Sequence, residues 1–257
     1  MEIIDDWHMS AMQGTGSSAS VARDVFVPGD RAPPLPGLLR GAHASAADAG
    51  VVEYSYAVFP FLLSASVGTV IGIAQGALES FVARAPERAV SFENPAPQAT
   101  SPVTRFQLGE IGMSIEAALA LSRDTVAALE RHAVQGTPMS TEERIRVRAA
   151  VAYATRLSTD ATTALSRIAG ATAFRRDRTI QRHHRDATML SNHAHFNYET
   201  HLGLLGSFMR GNHPRASATA ACVVPSASRR HAAFPVRVSR CRIPLQSAPR
   251  WTLLGRR

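Results

Sequence analysis

The charged residues divide this chain of 257 residues at about residue 212. All 20 acidic residues and 19 of the 28 basic residues precede that point, so residues 1–212 carry a net charge of −1. The chain has no lysine, and its other nine arginines lie in 213–257 among alanine, serine and proline, without one acidic residue. Such a composition is typical of a disordered tail. We therefore expect the folded part to be 1–212, which is long enough to bury a hydrophobic core.

The C-terminal segment also contains both cysteines, Cys222 and Cys241. Residues 1–212 therefore have no disulfide framework and no cysteine-based metal site, as is usual in the reducing cytosol. The arginines of the segment would attract phosphates, but no periodic aromatic residues accompany them, so we predict no nucleic-acid partner. An out-of-frame reading of GC-rich DNA is an alternative origin for this composition.

Residues 54–78 form a run of 25 without a charged side chain. That length is enough to cross a bilayer, but the run contains a proline and several polar residues, and no lysine or arginine flanks it as an anchor. Small residues recur at every fourth position, which places them on one helix face and lets a second helix approach closely. These residues are Ser64, Gly68, Gly72, Gly76 and Ser80. We predict a bundle helix rather than a membrane span.

The apolar periodicity and the helix-breaking residues predict four helices in this part of the chain. Their expected ranges are 59–84, 103–133, 140–168 and 180–210. The third helix has a clear start, because Ser140 stands three residues before Glu143 in the pattern of a capping box. Its end is marked by Gly170, since glycine is the usual residue after a helix C-terminus.

The N-terminal residues have a different pattern, with alternating side chains over 20–28 that predict a β-strand. Four helices after a strand-rich segment indicate a mostly α fold, in which an antiparallel four-helix bundle follows part of a β domain. The predicted division is a partial β domain and loop over 1–50, the bundle over 51–212, and a disordered tail over 213–257.

Three motifs of this chain resemble the acyl-CoA dehydrogenase superfamily. The exit of the β domain in that superfamily is similar to WHMSAMQGTGS at 7–17 followed by VFVP at 25–28. Its first C-terminal helix is similar to GIAQGAL at 72–78, and its end to QRHHRD at 181–186 followed by SNH at 191–193. Together, the motifs resemble one branch, the oxygenase components of two-component flavin-dependent monooxygenases.

The resemblance implies a fold of three parts: an N-terminal helical domain, a middle β domain and a C-terminal four-helix bundle. It implies a cytoplasmic homotetramer that receives reduced FMN or FAD from a partner flavin reductase and hydroxylates a small aromatic or phenolic substrate with oxygen. Set against that pattern, this chain begins inside the β domain. We therefore expect it to be truncated, with an incomplete flavin pocket and weaker flavin binding than a complete relative.

The resemblance also suggests site residues. His193 would lie near the reactive part of the flavin and the substrate phenol, and on a helix over 180–210 it shares a polar stripe with Arg182, Asp186 and Asn197. On that helix His195 would point to the opposite side. The alternative role of His193 is a histidine satisfied by Asp186 at a helix interface.

A second group would bind the cofactor. Arg88 and Phe92 stand where the superfamily places an arginine and a phenylalanine that reach the flavin of a neighbouring subunit, and an arginine fork suits a diphosphate. Gly170 and Ala171 stand where a glycine-rich turn approaches the flavin, although a helix end would also explain Gly170. We predict no metal site, because no two of the clustered histidines at 183–201 have the i, i+4 spacing of helical metal ligands.

Two alternative functions remain open from the sequence. The first is an acyl-CoA dehydrogenase, which would need an active-site carboxylate, for which Glu199 is the candidate. The second is a catalytically inactive bundle that only oligomerises.

Overall fold

The computed structural model describes residues 1–32, 51–89 and 96–212. It contains five α-helices of six or more residues: α1 (Val58–Val82), α2 (Pro102–Gln135), α3 (Thr141–Ile168), α4 (Thr179–Ser191) and α5 (Tyr198–Met209). Two short strands, β1 (Glu2–Ile3) and β2 (Ser20–Val21), pair antiparallel near the N-terminus. The described part is thus mostly α, as predicted. The prediction of a disordered tail after residue 212 falls outside the described residues.

Helix α3 is the centre of the bundle, since it packs against each of the other four helices. Helix α1 contacts α2, α3 and α4, and α4 and α5 together form the fourth segment of the bundle. The largest fully buried apolar side chains are Leu63, Val67, Val70, Ile71, Ile145, Val151 and Leu165. Each such side chain stabilises the fold by about 1.5–3 kcal/mol relative to leaving it in water. The bundle is therefore held together mainly by α1 and α3.

The predicted boundaries of α2 and α3 are confirmed together with their local causes. Ser140 accepts a hydrogen bond from the Glu143 amide, and the Glu143 carboxylate accepts one in return from the Ser140 amide at 2.9 Å. This reciprocal pair is the capping box that the sequence predicts. Helix α2 ends at Gly136, whose φ of 63° is the left-handed conformation that glycine adopts without strain.

The prediction of one helix over 180–210 is wrong, because the chain leaves the helix after Ser191. His193 has extended backbone angles, a 3-10 turn follows over Ala194–Phe196, and α5 starts only at Tyr198. Two features cause the break. Phe196 is buried at 2% exposure, and Asn197 caps α5 by accepting a hydrogen bond from the Thr200 amide at 2.8 Å. The polar stripe that a continuous helix would have formed therefore does not exist.

The predicted strand over 20–28 is also shorter than expected. Only Ser20–Val21 pairs with another strand, and Asp24 has a φ of 51°, which interrupts an extended chain. The side chains of Val25, Phe26 and Val27 are exposed. Among the described residues no strand lies beside them, and an unpaired strand gains no ladder hydrogen bonds.

The N-terminal segment is attached to the bundle through α4. The Met12 amide donates a hydrogen bond to Asp186 Oδ1 at 2.7 Å, and the Trp7 indole donates to the Met12 carbonyl at 3.1 Å. Arg185 donates to the Ser10 carbonyl nearby. Asp186, expected beside His193, is thus engaged by the backbone of the N-terminal segment.

Helix α1 and the residues that follow it, Val58–Glu87, have the length and apolarity of a membrane span, and 44% of the most apolar window is buried. The glycines in the middle of the small-residue ridge of α1 differ in their surroundings. A Cβ added at Gly76 would lie 3.3 Å from two atoms of the His183 imidazole, whereas Gly68 and Gly72 face open space. The close helix approach predicted from the ridge is therefore confirmed only where α4 crosses Gly76.

Candidate functional site

A cavity of about 140 Å³ lies between the end of α1, the end of α3 and the start of α4. We call it the arginine end of α4, because Arg84, Arg88 and Arg178 line it. Gln98, Thr172 and Thr179 are among the other polar residues of its wall. The cavity is smaller than a whole flavin but large enough for a small anionic group.

Two of the predicted cofactor residues meet beside this cavity, since Arg88 lines it and packs against Gly170. Gly170 has φ 64° and ψ −170°, a conformation that is essentially limited to glycine. A Cβ at this position would collide with the Arg88 guanidinium. Arg88 Nη1 donates to the Ile168 carbonyl at 3.4 Å, and Gln98 donates to the same carbonyl at 2.7 Å. The turn after α3 thus lets the arginine lie against its backbone.

The other two predicted cofactor residues are less informative. Ala171 begins a 3-10 turn over Ala171–Phe174, and its side chain is exposed and outside the cavity wall. Phe92 falls outside the described residues.

The charge around the cavity favours an anion. Burial and the nearby Arg84 charge lower the pKa of Arg88, which shows that cations lie close together here. The acidic residue of the wall, Asp177, is engaged by Arg175 through two hydrogen bonds of 3.0 and 3.2 Å. Helix α4 also begins at the cavity without a side-chain cap, so its first amides and its dipole favour negative charge.

Two buried polar atoms of the wall lack a hydrogen-bond partner among the described residues: Gln98 Oε1 and Arg178 Nε. The Arg178 Nε forms an ion pair with an Asp177 oxygen at 3.9 Å, a distance that is too long for a hydrogen bond. An unused guanidinium donor beside two further arginines and a helix N-terminus is the donor set that a phosphate group requires. The residues present therefore fit the phosphate part of a nucleotide-like cofactor.

The second group of candidate residues lies at the other end of α4. We call it the histidine end, formed by His193, His195 and His201. His193 is exposed, and its Nδ1 accepts a hydrogen bond from the His195 amide at 3.2 Å. The rings of His193 and His195 are in edge contact, with centroids 4.6 Å apart. The prediction that they point to opposite sides is wrong, because they lie in a turn and not on a helix.

Below this turn lies a buried pair that the sequence interpretation did not identify. Arg148 of α3 and His201 of α5 are 2% and 1% exposed, and Arg148 Nε donates to His201 Nδ1 at 3.2 Å. The Arg148 guanidinium also lies 5.0 Å from the centre of the Phe59 ring. One sequence signal was present: Arg148 lies one helical turn from the buried Val151 and Ala152, on the core face of α3.

The two ends of α4 are separate places. Helix α4 has 13 residues, so at 1.5 Å per residue the ends are about 20 Å apart. The structure therefore brings Arg88 and Gly170 together but keeps His193 away from both. Glu199, the carboxylate of the alternative function, is exposed on the first turn of α5. Among the described residues no group of three or more metal-ligating side chains occurs.

Comparison with known proteins agrees with this architecture. Two curated relatives are similar over most of the chain: a pigment production hydroxylase of Rhodococcus sp. (strain ATCC 21145), 28% identical over 81% of this chain, and the p-hydroxyphenylacetate 3-hydroxylase oxygenase component of Acinetobacter baumannii, 26% identical over 83%. The matches cover 53% and 50% of those relatives, so this chain spans about half their length.

A solved structure shows the same relation. The structure of XiaF from Streptomyces sp. in complex with FADH2 and glycerol superposes with a TM-score of 0.73 at 27% identity, covering 83% of this chain and 54% of that one. The family described as acyl-CoA dehydrogenase, C-terminal domain, matches residues 64–198, which is just over half of the chain. That stretch runs from the core of α1 to the start of α5. The chain therefore belongs to the acyl-CoA dehydrogenase C-terminal domain family.

Proposed function

We propose that this chain contributes the helical bundle of a flavin-dependent monooxygenase oxygenase component. The enzyme would place one atom of dioxygen on a phenolic substrate and release the other as water, using a reduced FMN or FAD that a separate flavin reductase delivers. It would act in the cytoplasm as a homotetramer. The observation that carries this proposal is the similarity to two hydroxylases over about four-fifths of the chain.

In this function the arginine end holds the phosphate part of the flavin. Arg84, Arg88 and Arg178 supply charge-assisted hydrogen bonds, and the N-terminus of α4 adds backbone donors. Gly170 lets Arg88 lie close to the turn, since any side chain there would displace the guanidinium. When bound, the reduced flavin supplies the electrons that activate dioxygen.

His193 acts on the substrate. Because its Nδ1 accepts a hydrogen bond from the His195 amide, the neutral ring carries its proton on Nε2. The exposed Nε2–H can then donate to the oxygen of a phenol or phenolate. A donor at that position stabilises the phenolate, which is the electron-rich form that an electrophilic oxygen attacks. This role is electrostatic and does not require His193 to remove the proton itself.

The distance of about 20 Å between the two ends of α4 bears on the assembly. In the superfamily the arginine corresponding to Arg88 reaches a flavin of a neighbouring subunit. In the proposed tetramer the arginine end of one subunit therefore completes the phosphate site of its neighbour, while the histidine end faces its own substrate.

The test is hydroxylation by the full chain. Chemically reduced FAD or FMN would be mixed with the protein, isotopically labelled dioxygen and a panel of phenols that begins with p-hydroxyphenylacetate. Mass spectrometry should find one labelled oxygen in the product. We expect His193→Ala to abolish the product, while the matched variant His184→Ala, a half-buried histidine on α4, should retain it.

The alternative functions give different results. Oxidation of an acyl-CoA with a dye acceptor, lost in Glu199→Gln, would replace the proposal with a dehydrogenase. Failure to bind reduced flavin at all would favour a bundle that only oligomerises.

A further inference from the structure

The orientation of His193 depends on the backbone that carries it. Its side chain is exposed, and its Nδ1 accepts a hydrogen bond from the His195 amide. The turn itself is closed by the Phe196 amide, which donates to the His193 carbonyl at 2.8 Å. Whatever fixes the backbone at His195 therefore also fixes the direction of the His193 ring.

His201 is the side chain that reaches this backbone. It lies on α5, is 1% exposed, and its Nε2 is 3.1 Å from the His195 carbonyl oxygen. The amide of His201 also donates to the Asn197 carbonyl at 3.2 Å. A buried imidazole on a regular helix thus holds the middle of an irregular turn.

Arg148 decides which tautomer His201 adopts. A guanidinium has donors only, so the contact of Arg148 Nε with His201 Nδ1 at 3.2 Å requires an unprotonated Nδ1. The proton of the neutral ring must then be on Nε2, where it points at the His195 carbonyl. Burial and the Arg148 charge lower the pKa of His201 to about 4, so the ring is neutral at physiological pH.

The aromatic ring of Phe59 completes the arrangement. It lies under the Arg148 guanidinium at 5.0 Å and makes an edge contact with the His195 ring at 6.0 Å. The face of the ring stabilises the buried cation, which keeps the guanidinium between α1 and His201. Side chains from three helices, α1, α3 and α5, therefore support the turn that carries His193.

We propose that Arg148 and His201 are positioning residues for His193: Arg148 holds His201 in its neutral Nε2–H form, and His201 holds the His195 carbonyl and so orients the His193 imidazole. The importance of this orientation for catalysis rests on the proposed function, but the arrangement itself is testable without activity.

The first measurement uses the wild-type full chain. An isotope-edited imidazole NMR spectrum at neutral pH should show His201 and His193 both as single Nε2–H tautomers. A His201 ring that is protonated on Nδ1, or that populates both tautomers, would overturn the proposal.

Two substitutions of His201 separate positioning from simple packing. Glutamine keeps an amide N–H that can reach the His195 carbonyl, whereas leucine fills the space and donates nothing. In His201→Leu we expect a mixture of His193 tautomers, and about tenfold faster hydrogen exchange of the Phe196 amide, which is the effect of losing one buried hydrogen bond. His201→Gln should restore both readouts toward wild type, and His184→Leu is the matched control with no expected change.

Equal values in the leucine and glutamine variants, or an unchanged His193 tautomer in the leucine variant, would overturn the proposal. If the leucine variant does not fold, Arg148→Met replaces it, because it removes the donor and retains an apolar side chain. His201 should then populate both tautomers, and a pure Nε2–H form would show that Arg148 has no such role. If the substitutions leave the tautomers and the hydrogen exchange of the Phe196 amide as in the wild type, the positioning role is refuted. If hydroxylation survives His193→Ala, only the proposed function is refuted.

Discussion

The two ends of helix α4 differ in where their arginine side chains lie. At the arginine end, Arg84, Arg88 and Arg178 surround an open cavity, and the nearby carboxylate of Asp177 is engaged by Arg175. At the histidine end, Arg148 is buried and contacts a neutral imidazole and an aromatic face. We propose that an anionic ligand completes the first arrangement, whereas contacts within the protein complete the second.

This difference shows why charge counts alone say little about function. The charge of residues 1–212 is nearly balanced, yet the fold separates cations that face a cavity from a cation that supports a turn. A charge that faces a cavity affects binding, and a charge that is satisfied inside the core affects geometry and stability. Changes at the two ends of α4 should therefore affect different properties of the protein.

Lowering the pH should destabilise the folded state, because His201 at the histidine end must stay neutral to fit its buried site. Burial, and secondly Arg148, lower the pKa of His201 from 6.5 to about 4. Between these values the unfolded chain binds a proton that the folded chain does not, so the free energy of unfolding decreases as the pH falls. We expect a loss of about 3 kcal/mol from this residue over that interval. Urea unfolding at several pH values measures it.

The control for this prediction is His201→Gln, which has no ionisable group at that position. The pKa values of His183, His184 and His195 are also lowered by burial, and these residues remain in both proteins. If the free energy of unfolding of His201→Gln decreases with falling pH as steeply as that of the wild type, the pH dependence does not come from His201.

Glycine substitutions compare the arginine end with an ordinary helix end. Gly170→Ala should reduce the unfolding free energy by about 2 kcal/mol, because its backbone angles are essentially limited to glycine and Arg88 must move. Gly136→Ala should cost only about 1 kcal/mol, because its left-handed φ is the sole problem and no atom lies within 4 Å of the added carbon. Chemical denaturation of both variants measures the difference, and equal costs would show that the contact with Arg88 is unimportant.

Binding of inorganic pyrophosphate tests the arginine end directly. Arg88→Met should weaken binding about tenfold, the effect of removing one hydrogen bond to a charged group. Arg146→Met is the matched control, since Arg146 is an exposed residue near the start of α3, outside the cavity wall, and pairs with Glu142. Isothermal titration calorimetry provides the affinities. If both variants lose affinity for pyrophosphate to a similar extent, the effect comes from the net charge of the protein and not from a contact in the cavity.

The smallest expected effect lies away from both ends. Ser140→Ala removes the side chain that caps α3 and should reduce the unfolding free energy by about 1 kcal/mol. It should change neither pyrophosphate affinity nor the tautomer of His201, because the cap contacts neither group: it lies about two turns along α3 from Arg148 and at the opposite end of α3 from the cavity. A change in either readout would mean that the two ends of α4 respond to general destabilisation and not to their own contacts.

The parts of the fold that the sequence predicted correctly depend on local interactions. The start of α3 follows from Ser140 and Glu143, and the end of α2 follows from Gly136, so neighbouring residues decide both. The break after Ser191 was missed because one of its causes, burial of Phe196 in the core, depends on distant residues, and because the other, the local cap at Asn197, lies within an uninterrupted helical periodicity. Periodicity alone continued the helix across this break.

The candidate site shows the same division. Arg88 and Gly170 were identified by their resemblance to the superfamily, but the contribution of Arg178 depends on how α4 docks against α1 and α3. Arg148 and His201 are 53 positions apart, and only the packing of α3 against α5 joins them. Contacts of this kind are set by tertiary structure, which the spacing of residues within one helix does not encode.

We propose that the arginine end binds the phosphate part of a flavin and that the histidine end acts on the substrate. The most direct measurement is an anaerobic titration of the full chain, Arg88→Met and His193→Ala with reduced FAD. We predict that Arg88→Met weakens binding about tenfold and that His193→Ala leaves the affinity unchanged. Equal weakening in both variants, or none in Arg88→Met, would contradict the account.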